Sequence, residues 1–139
     1  MKTHPKSEDV DKIQQETYGL LDDIALPYKK VSRYEWVAEE GTACWCGQSE
    51  GAGYIQIYLG CDPEAIAHEI GHGFHEALNH HRGGLPFPLR YPEDGEAVAE
   101  GVRFFVEQRR RSSWRPTRDT LVLDRRRYRF ENFKLLVRM

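Results

Sequence analysis

The segment His68-Glu69-Ile70-Gly71-His72 constrains the fold of this chain more than any other part of its sequence. On an α-helix, residues four positions apart are separated by only about 40° of rotation and one turn of rise, so they share a face. The spacing therefore predicts a helix that presents His68 and His72 side by side. Two imidazoles held in this way can bind one divalent cation, and the pattern is typical of zinc sites.

Glu69 is the third functional group of this segment. It lies about 100° around the same helix from His68, where a carboxylate can reach a water molecule on the metal without entering the coordination sphere. We therefore predict that His68 and His72 are metal ligands. We predict that Glu69 is a general base, which takes a proton from the water that attacks a carbonyl carbon.

A second segment offers further carboxylates. A catalytic zinc site needs a third protein ligand and leaves a fourth position for water. The segment Gly95–Gly101 carries Glu96 and Glu100 one helical turn apart, and apolar residues at helical spacing follow it. The stretch between His72 and Glu96 is long enough for the chain to turn and return antiparallel. The two glutamates can then face the same metal ion.

The two segments, HEIGH and GEAVAEG, resemble the motifs of the gluzincin group of zinc metallopeptidases and, less closely, the compact ImmA/IrrE-type metallopeptidases. The likeness covers roughly residues 55–108. It implies that Glu96 is the third zinc ligand and that Glu100 accepts a hydrogen bond from a ligand histidine. The reverse assignment of the two glutamates stays open. The resemblance also implies that the strand before the histidine helix, residues 55–59, lies along the cleft and pairs with extended substrate.

Hydrophobic periodicity predicts the remaining elements. Apolar residues at helical spacing predict an amphipathic helix over Ser7–Ile24. Aromatic and β-branched residues broken by glycines predict three short strands between Tyr28 and Leu59. Asp62 as N-cap and Pro63 in the first turn predict the start of the histidine-bearing helix, which runs to about Asn79.

These elements predict an α+β fold in one domain, residues 1–139, which is the length of an ordinary single domain. The expected architecture is a minimal zincin-like domain. It comprises an N-terminal helix, a small, largely antiparallel three-stranded sheet, the histidine helix, the glutamate helix and a basic C-terminal segment, residues 109–139.

Composition indicates the class of protein and the compartment in which we expect it. With 40% hydrophobic and 30% charged residues and no long apolar run, the chain does not read as an integral membrane protein, and we expect no membrane partner. No secretory signal is visible, so we expect a cytoplasmic protein. The three cysteines, Cys44, Cys46 and Cys61, make an odd number, which favours reduced thiols.

Charge is distributed unevenly along the chain. Up to Val102 there are 18 acidic and 8 basic residues, whereas from Arg103 onward there are 4 acidic and 12 basic ones. The clusters Arg109–Arg111 and Arg125–Arg127, interleaved with aromatic residues, could bind nucleic acid through phosphates and stacked bases. We favour instead that these arginines neutralise the acidic part of the chain or a neighbouring subunit.

Hydrolysis through a tetrahedral intermediate also needs a donor that stabilises the oxyanion. The sequence does not choose among the candidates, which are Tyr91, His80, His81 and Tyr128. His75 follows His72 by three residues and could face the same way. However, three ligands from one helix give poor tetrahedral geometry, so we do not expect His75 to bind the metal.

The sequence therefore predicts a metallopeptidase with one Zn²⁺ per chain, which cleaves peptide bonds in a protein or peptide substrate. Two alternatives stay open. One is a zinc-containing regulatory or interaction module that binds protein or nucleic acid through its basic C-terminal segment. The other is a zinc hydrolase of a non-peptide amide.

Overall fold

The computed structural model describes residues 1–23, 27–49, 51–80, 95–112, 121–123 and 126–128. The described residues form an α+β arrangement of helices and short strands. In chain order the elements are α1 (Ser7–Asp23), β1 (Lys30–Glu40), β2 (Ala43–Gly47), β3 (Ala52–Leu59), α2 (Ala65–His80), α3 (Gly95–Ser112), β4 (Leu121–Leu123) and β5 (Arg126–Tyr128). The first six correspond to the elements that hydrophobic periodicity predicted. No helix among the described residues is both long enough and apolar enough to cross a membrane.

The sheet that β1, β2 and β3 form is mixed, and β3 is its central strand. β2 pairs with β3 in antiparallel fashion, but β1 pairs with β3 in parallel. The prediction of a largely antiparallel sheet was therefore wrong for the longest strand. Alternation of apolar residues predicts where strands occur, but it does not say which strand lies next to which.

A two-residue turn explains the unexpected order. Gly41 donates its amide to the carbonyl of Leu59 at 3.1 Å, and Tyr58 donates its amide to the carbonyl of Thr42 at 3.0 Å, so the turn crosses the end of β3. A Cβ at Gly41 would lie 3.1 Å from the ring of Tyr58, which explains why a residue without a side chain occupies the crossing. β1 and β2 consequently lie on opposite sides of β3.

One hydrophobic core joins the three long helices to the inner face of β3. α1 contributes residues at the spacing that its sequence predicted, and Ile55 and Ile57 are the inward residues of β3. The largest fully buried side chains are Val10, Ile13, Leu20, Leu21, Ile55, Ile57, Ile66, Ile70 and Phe74. Because Ile66, Ile70 and Phe74 lie on α2, one face of this helix is fixed in the core and its other face is free to carry functional groups.

α2 and α3 approach each other unusually closely. A Cβ built on Gly71 of α2 would lie 2.6 Å from the Cα of Ala99 on α3, and 3.0 Å from its carbonyl oxygen. Carbon atoms in ordinary contact are about 3.5–4.0 Å apart. Only glycine at position 71 allows this approach, which brings the side chains of the two helices within direct reach of each other.

The short strands β4 and β5 pair with each other in antiparallel fashion after α3. They lie in the basic segment, residues 109–139, for which the sequence predicted no structure. Most of that segment lies outside the described residues.

Candidate metal centre

The start of α2 follows the predicted capping pattern. The Asp62 carboxylate accepts a hydrogen bond from the amide of Glu64 at 2.9 Å, and its carbonyl accepts one from the amide of Ala65 at the same distance. An N-cap of this type satisfies amides that have no partner within the helix. The helix includes both His68 and His72, so the two rings occupy successive turns of one regular element.

Three side chains from α2 and α3 converge on one point. One carboxylate oxygen of Glu96 lies 3.0 Å from Nε2 of His68, and the other lies 3.0 Å from Nε2 of His72. The two imidazole rings are 4.9 Å apart between centroids and nearly perpendicular. Around a tetrahedral zinc ion with bonds of about 2.05 Å, neighbouring donor atoms are about 3.3 Å apart. The observed spacing of the donors therefore fits a zinc-sized ion.

Glu100 lies on the other side of the His68 ring. Its Oε2 is 2.7 Å from Nδ1 of His68, whereas Nε2 of the same ring faces Glu96. If Nδ1 carries the proton and donates it to Glu100, Nε2 is left with its lone pair for a metal ion. Glu96 therefore contacts Nε2 of both imidazoles, while Glu100 contacts Nδ1 of the His68 ring.

Glu69 is buried, with 8% of its surface exposed, yet its carboxylate reaches the same centre. Its Oε1 accepts a hydrogen bond from the backbone amide of Trp45 at 2.8 Å, and its Oε2 lies 3.9 Å from Nε2 of His68. The side chains of His68, Glu69 and His72 each offer a nitrogen or oxygen atom that could bind a metal ion, and these three atoms lie within 4.8 Å of one another. One oxygen of Glu69 is thus held by the sheet, and the other faces the centre.

Burial shifts the pKa of two groups at the site. It raises the pKa of the Glu69 carboxyl, an effect that the His68 ring and the Trp45 amide oppose and that Glu96 reinforces. Burial lowers the pKa of His72 against the opposing charge of Glu96, so the neutral ring is favoured. Neutral imidazole is the form of histidine that binds metal ions.

The centre opens into a cleft of about 600 Å³ between α2, α3 and β2. Glu96 is exposed at its mouth, which leaves one side of the centre accessible to solvent. The residues that line the cleft are Thr42, Ala43, Cys44, Trp45, Gly47, Ala65, His68, Glu69, His72, His75, Glu76, Glu96, Glu100 and Arg103. Four of these residues are glutamates, and one is an arginine. The charge of that arginine is paired with a carboxylate, because the Arg103 guanidinium donates a hydrogen bond to Glu107 at 3.1 Å. The cleft is therefore acidic and suited to a cation.

The strand that borders the cleft is β2, which corrects one expectation. Residues 55–59 were predicted to lie along the cleft, but they belong to β3, whose two edges are occupied by β1 and β2. β2 has a neighbour on one side only within the described sheet. The Thr42 carbonyl bonds to Tyr58, whereas the amide of Trp45 points to Glu69. In an antiparallel ladder, the backbone groups of alternate residues point to the same side of the strand. The backbone amides and carbonyls of Ala43 and Gly47 therefore point away from β3, as the amide of Trp45 does.

The sequence offered four candidates for stabilising the oxyanion. Tyr91 and His81, and the side chains of His80 and Tyr128, lie outside the described part of the chain. His75 does line the cleft.

Two other residues of the cleft, Trp45 and Glu76, were not singled out from the sequence. The indole nitrogen of Trp45 donates a hydrogen bond to Glu76. Neither residue belongs to the HEIGH or GEAVAEG segment, and no local pattern marks a contact between a strand and a helix that are so far apart in the chain.

No protein-family model, curated protein or solved structure matches this chain.

Proposed function

We propose that this protein is a zinc-dependent metallopeptidase whose metal is held by His68, His72 and Glu96. The proposal rests on one observation: Nε2 of His68 and Nε2 of His72 each lie 3.0 Å from an oxygen of Glu96, and Oε2 of Glu69 lies 3.9 Å from Nε2 of His68. Two nitrogen donors and one oxygen donor suit zinc better than magnesium or calcium, which prefer oxygen ligands. A bound zinc ion supplies a water molecule of lowered pKa and polarises the carbonyl group of the substrate.

In the proposed reaction Glu69 moves the proton. Its Oε1 is engaged by the Trp45 amide, so Oε2 accepts the proton of the attacking water and passes it to the departing amine. Glu100 keeps the His68 ring in a fixed orientation through Nδ1. The open mouth of the cleft beside Glu96 leaves room for water and substrate.

An extended peptide is the substrate class that the cleft favours. β2 runs along the cleft, and no strand of the described part of the chain pairs with the outward backbone groups of Ala43 and Gly47. Main-chain pairing of this kind recognises an extended polypeptide regardless of its sequence. A compact amide metabolite would leave these groups unused.

Metal analysis and a protease assay test the proposal together. Purified protein should contain about one zinc per chain and should cleave fluorescently labelled, unfolded casein. Glu69→Gln should keep the zinc and lose at least about 100-fold in kcat, because the acceptor for the proton is removed. Glu96→Ala should lose both zinc and activity. Glu39→Gln, at an exposed position on β1, is the matched control and should behave as wild type.

Two results would contradict the proposal. Wild-type protein that takes up no zinc after reconstitution would remove the metal centre. A Glu69→Gln variant with full activity would leave the centre in place but remove Glu69 as the base.

A further inference from the structure

We propose that Trp45 is a positioning residue, which holds Glu69 so that only Oε2 faces the metal centre, and that Glu76 anchors Trp45 in this role. The inference rests on the proposed function, because it assigns a task to the base of that reaction. The anchoring contact between Trp45 and Glu76 lies outside both sequence segments that suggested a metal site.

The indole of Trp45 occupies a slot between two glycines. A Cβ on Gly53 of β3 would lie 2.4 Å from Cζ2 of Trp45, and a Cβ on Gly73 of α2 would lie 3.0 Å from the same ring. No residue other than glycine fits at either position without displacing the indole. The ring is therefore held between the sheet and the helix.

The polar end of the ring fixes its orientation in the slot. Nε1 of Trp45 donates a hydrogen bond to Oε2 of Glu76, and the other oxygen of Glu76 lies 3.8 Å from Nζ of Lys29. Glu76 follows Glu69 by seven residues, which is two turns of the same helix, or about 10 Å along its axis. Trp45 is thus bound to α2 at two points, through its side chain to Glu76 and through its backbone amide to Glu69.

This double attachment makes the two oxygens of Glu69 inequivalent. Turning the carboxylate away from Trp45 would break the hydrogen bond that its backbone amide donates. Oε1 therefore stays on the amide, and Oε2 stays 3.9 Å from Nε2 of His68. A base that is already oriented toward the attacking water does not have to be reoriented, at a cost in free energy, before the proton is transferred.

The direct test uses the backbone amide of residue 45, observed by NMR in ¹⁵N-labelled protein. Glu69→Ala should move this amide proton upfield and accelerate its exchange with solvent about 10-fold, the effect of losing one hydrogen bond. Glu76→Ala should produce a change in the same direction, although residue 76 does not touch the amide. Glu76→Gln, which retains an acceptor oxygen, should restore the wild-type spectrum.

Kinetics on labelled casein give the second readout. Trp45→Phe keeps an aromatic ring between the glycines but cannot donate to Glu76, so it should lower kcat about 10-fold while KM and zinc content stay unchanged. Trp36→Phe is the matched control, since Trp36 lies on β1 with 42% of its surface exposed. It should alter neither the amide of residue 45 nor kcat.

The two readouts separate the possible failures. An amide of residue 45 that is insensitive to Glu69→Ala or to Glu76→Ala would overturn the positioning role, whatever the activity. The other case is a wild-type protein that does not cleave casein although the amide of residue 45 responds to both substitutions. That result would contradict the peptidase function but leave the positioning of Glu69 in place.

Discussion

Gly71→Ala tests whether the close approach of α2 and α3 positions the residues of the proposed metal centre. The added methyl carbon would lie 2.6 Å from the Cα of Ala99, and this neighbour is backbone rather than the end of a flexible side chain. Restoring a carbon–carbon contact of about 3.5 Å requires α3 to retreat by about 1 Å. Glu96 lies on α3 less than one turn before Ala99, so its carboxylate would retreat with the helix.

The size of that movement predicts a large loss of metal affinity. Both oxygens of Glu96 now lie 3.0 Å from the nitrogens of His68 and His72. Ligand distances in zinc sites tolerate about 0.2 Å, so a retreat of about 1 Å removes the glutamate from coordination. We expect zinc affinity to fall at least about 100-fold. Stability should change less, because alanine favours helix by about 1 kcal/mol while overpacking costs about 1–3 kcal/mol.

Zinc affinity is measured by competition with a fluorescent chelator, and stability by urea unfolding of the metal-free protein. Gly19→Ala is the matched control, because a Cβ at this position of α1 meets nothing within 4 Å. It should stabilise the protein by about 0.5–1 kcal/mol without changing zinc affinity. If Gly71→Ala bound zinc as tightly as wild type, the argument that helix spacing positions Glu96 would be refuted. Ala99→Gly should not rescue Gly71→Ala, since the clash involves the backbone.

The remaining predictions concern Glu100 and Cys61. Glu100→Ala removes the acceptor for Nδ1 of His68 and should weaken zinc binding about 10–100-fold in the same competition assay, whereas Glu8→Ala, exposed on α1, should have no effect. Burial raises the pKa of the Cys61 thiol to about 11 and leaves it 5% exposed, so at pH 8 it should react with a thiol reagent only after denaturation. Rapid modification of Cys61 in the native protein, identified by mass spectrometry, would contradict that burial.

The parts of the site that the sequence predicted are those that local spacing determines. His68 and His72 share a face of α2 because they are four residues apart, and Glu96 and Glu100 share a face of α3 for the same reason. Whether these two helix faces contact each other depends on a further feature, the close approach of α2 and α3 at Gly71. The sequence contains the glycine, but it does not show that Ala99 is the residue in contact with it, because the two residues belong to different helices.

The order of the strands could not be read in the same way. Each strand has a period-two pattern, but a pattern within one segment contains no information about the neighbour of that segment. The decisive feature is the turn at Gly41 and Thr42, which crosses the end of β3 and separates β1 from β2. A short turn that contains glycine more commonly joins strands that pair with each other, which is why a largely antiparallel sheet was expected.

That crossing determines which strand borders the cleft. In an antiparallel sheet with the strands in chain order, β2 would be central, and the amide of Trp45 would bond to a neighbouring strand. Because β1 crosses to the far side of β3, β2 is an edge of the sheet that the described residues form, and the amide of Trp45 bonds to Glu69. For the same reason, no described strand pairs with the outward backbone groups of Ala43 and Gly47. One turn therefore supplies the partner of the proposed base and the edge proposed to bind the substrate.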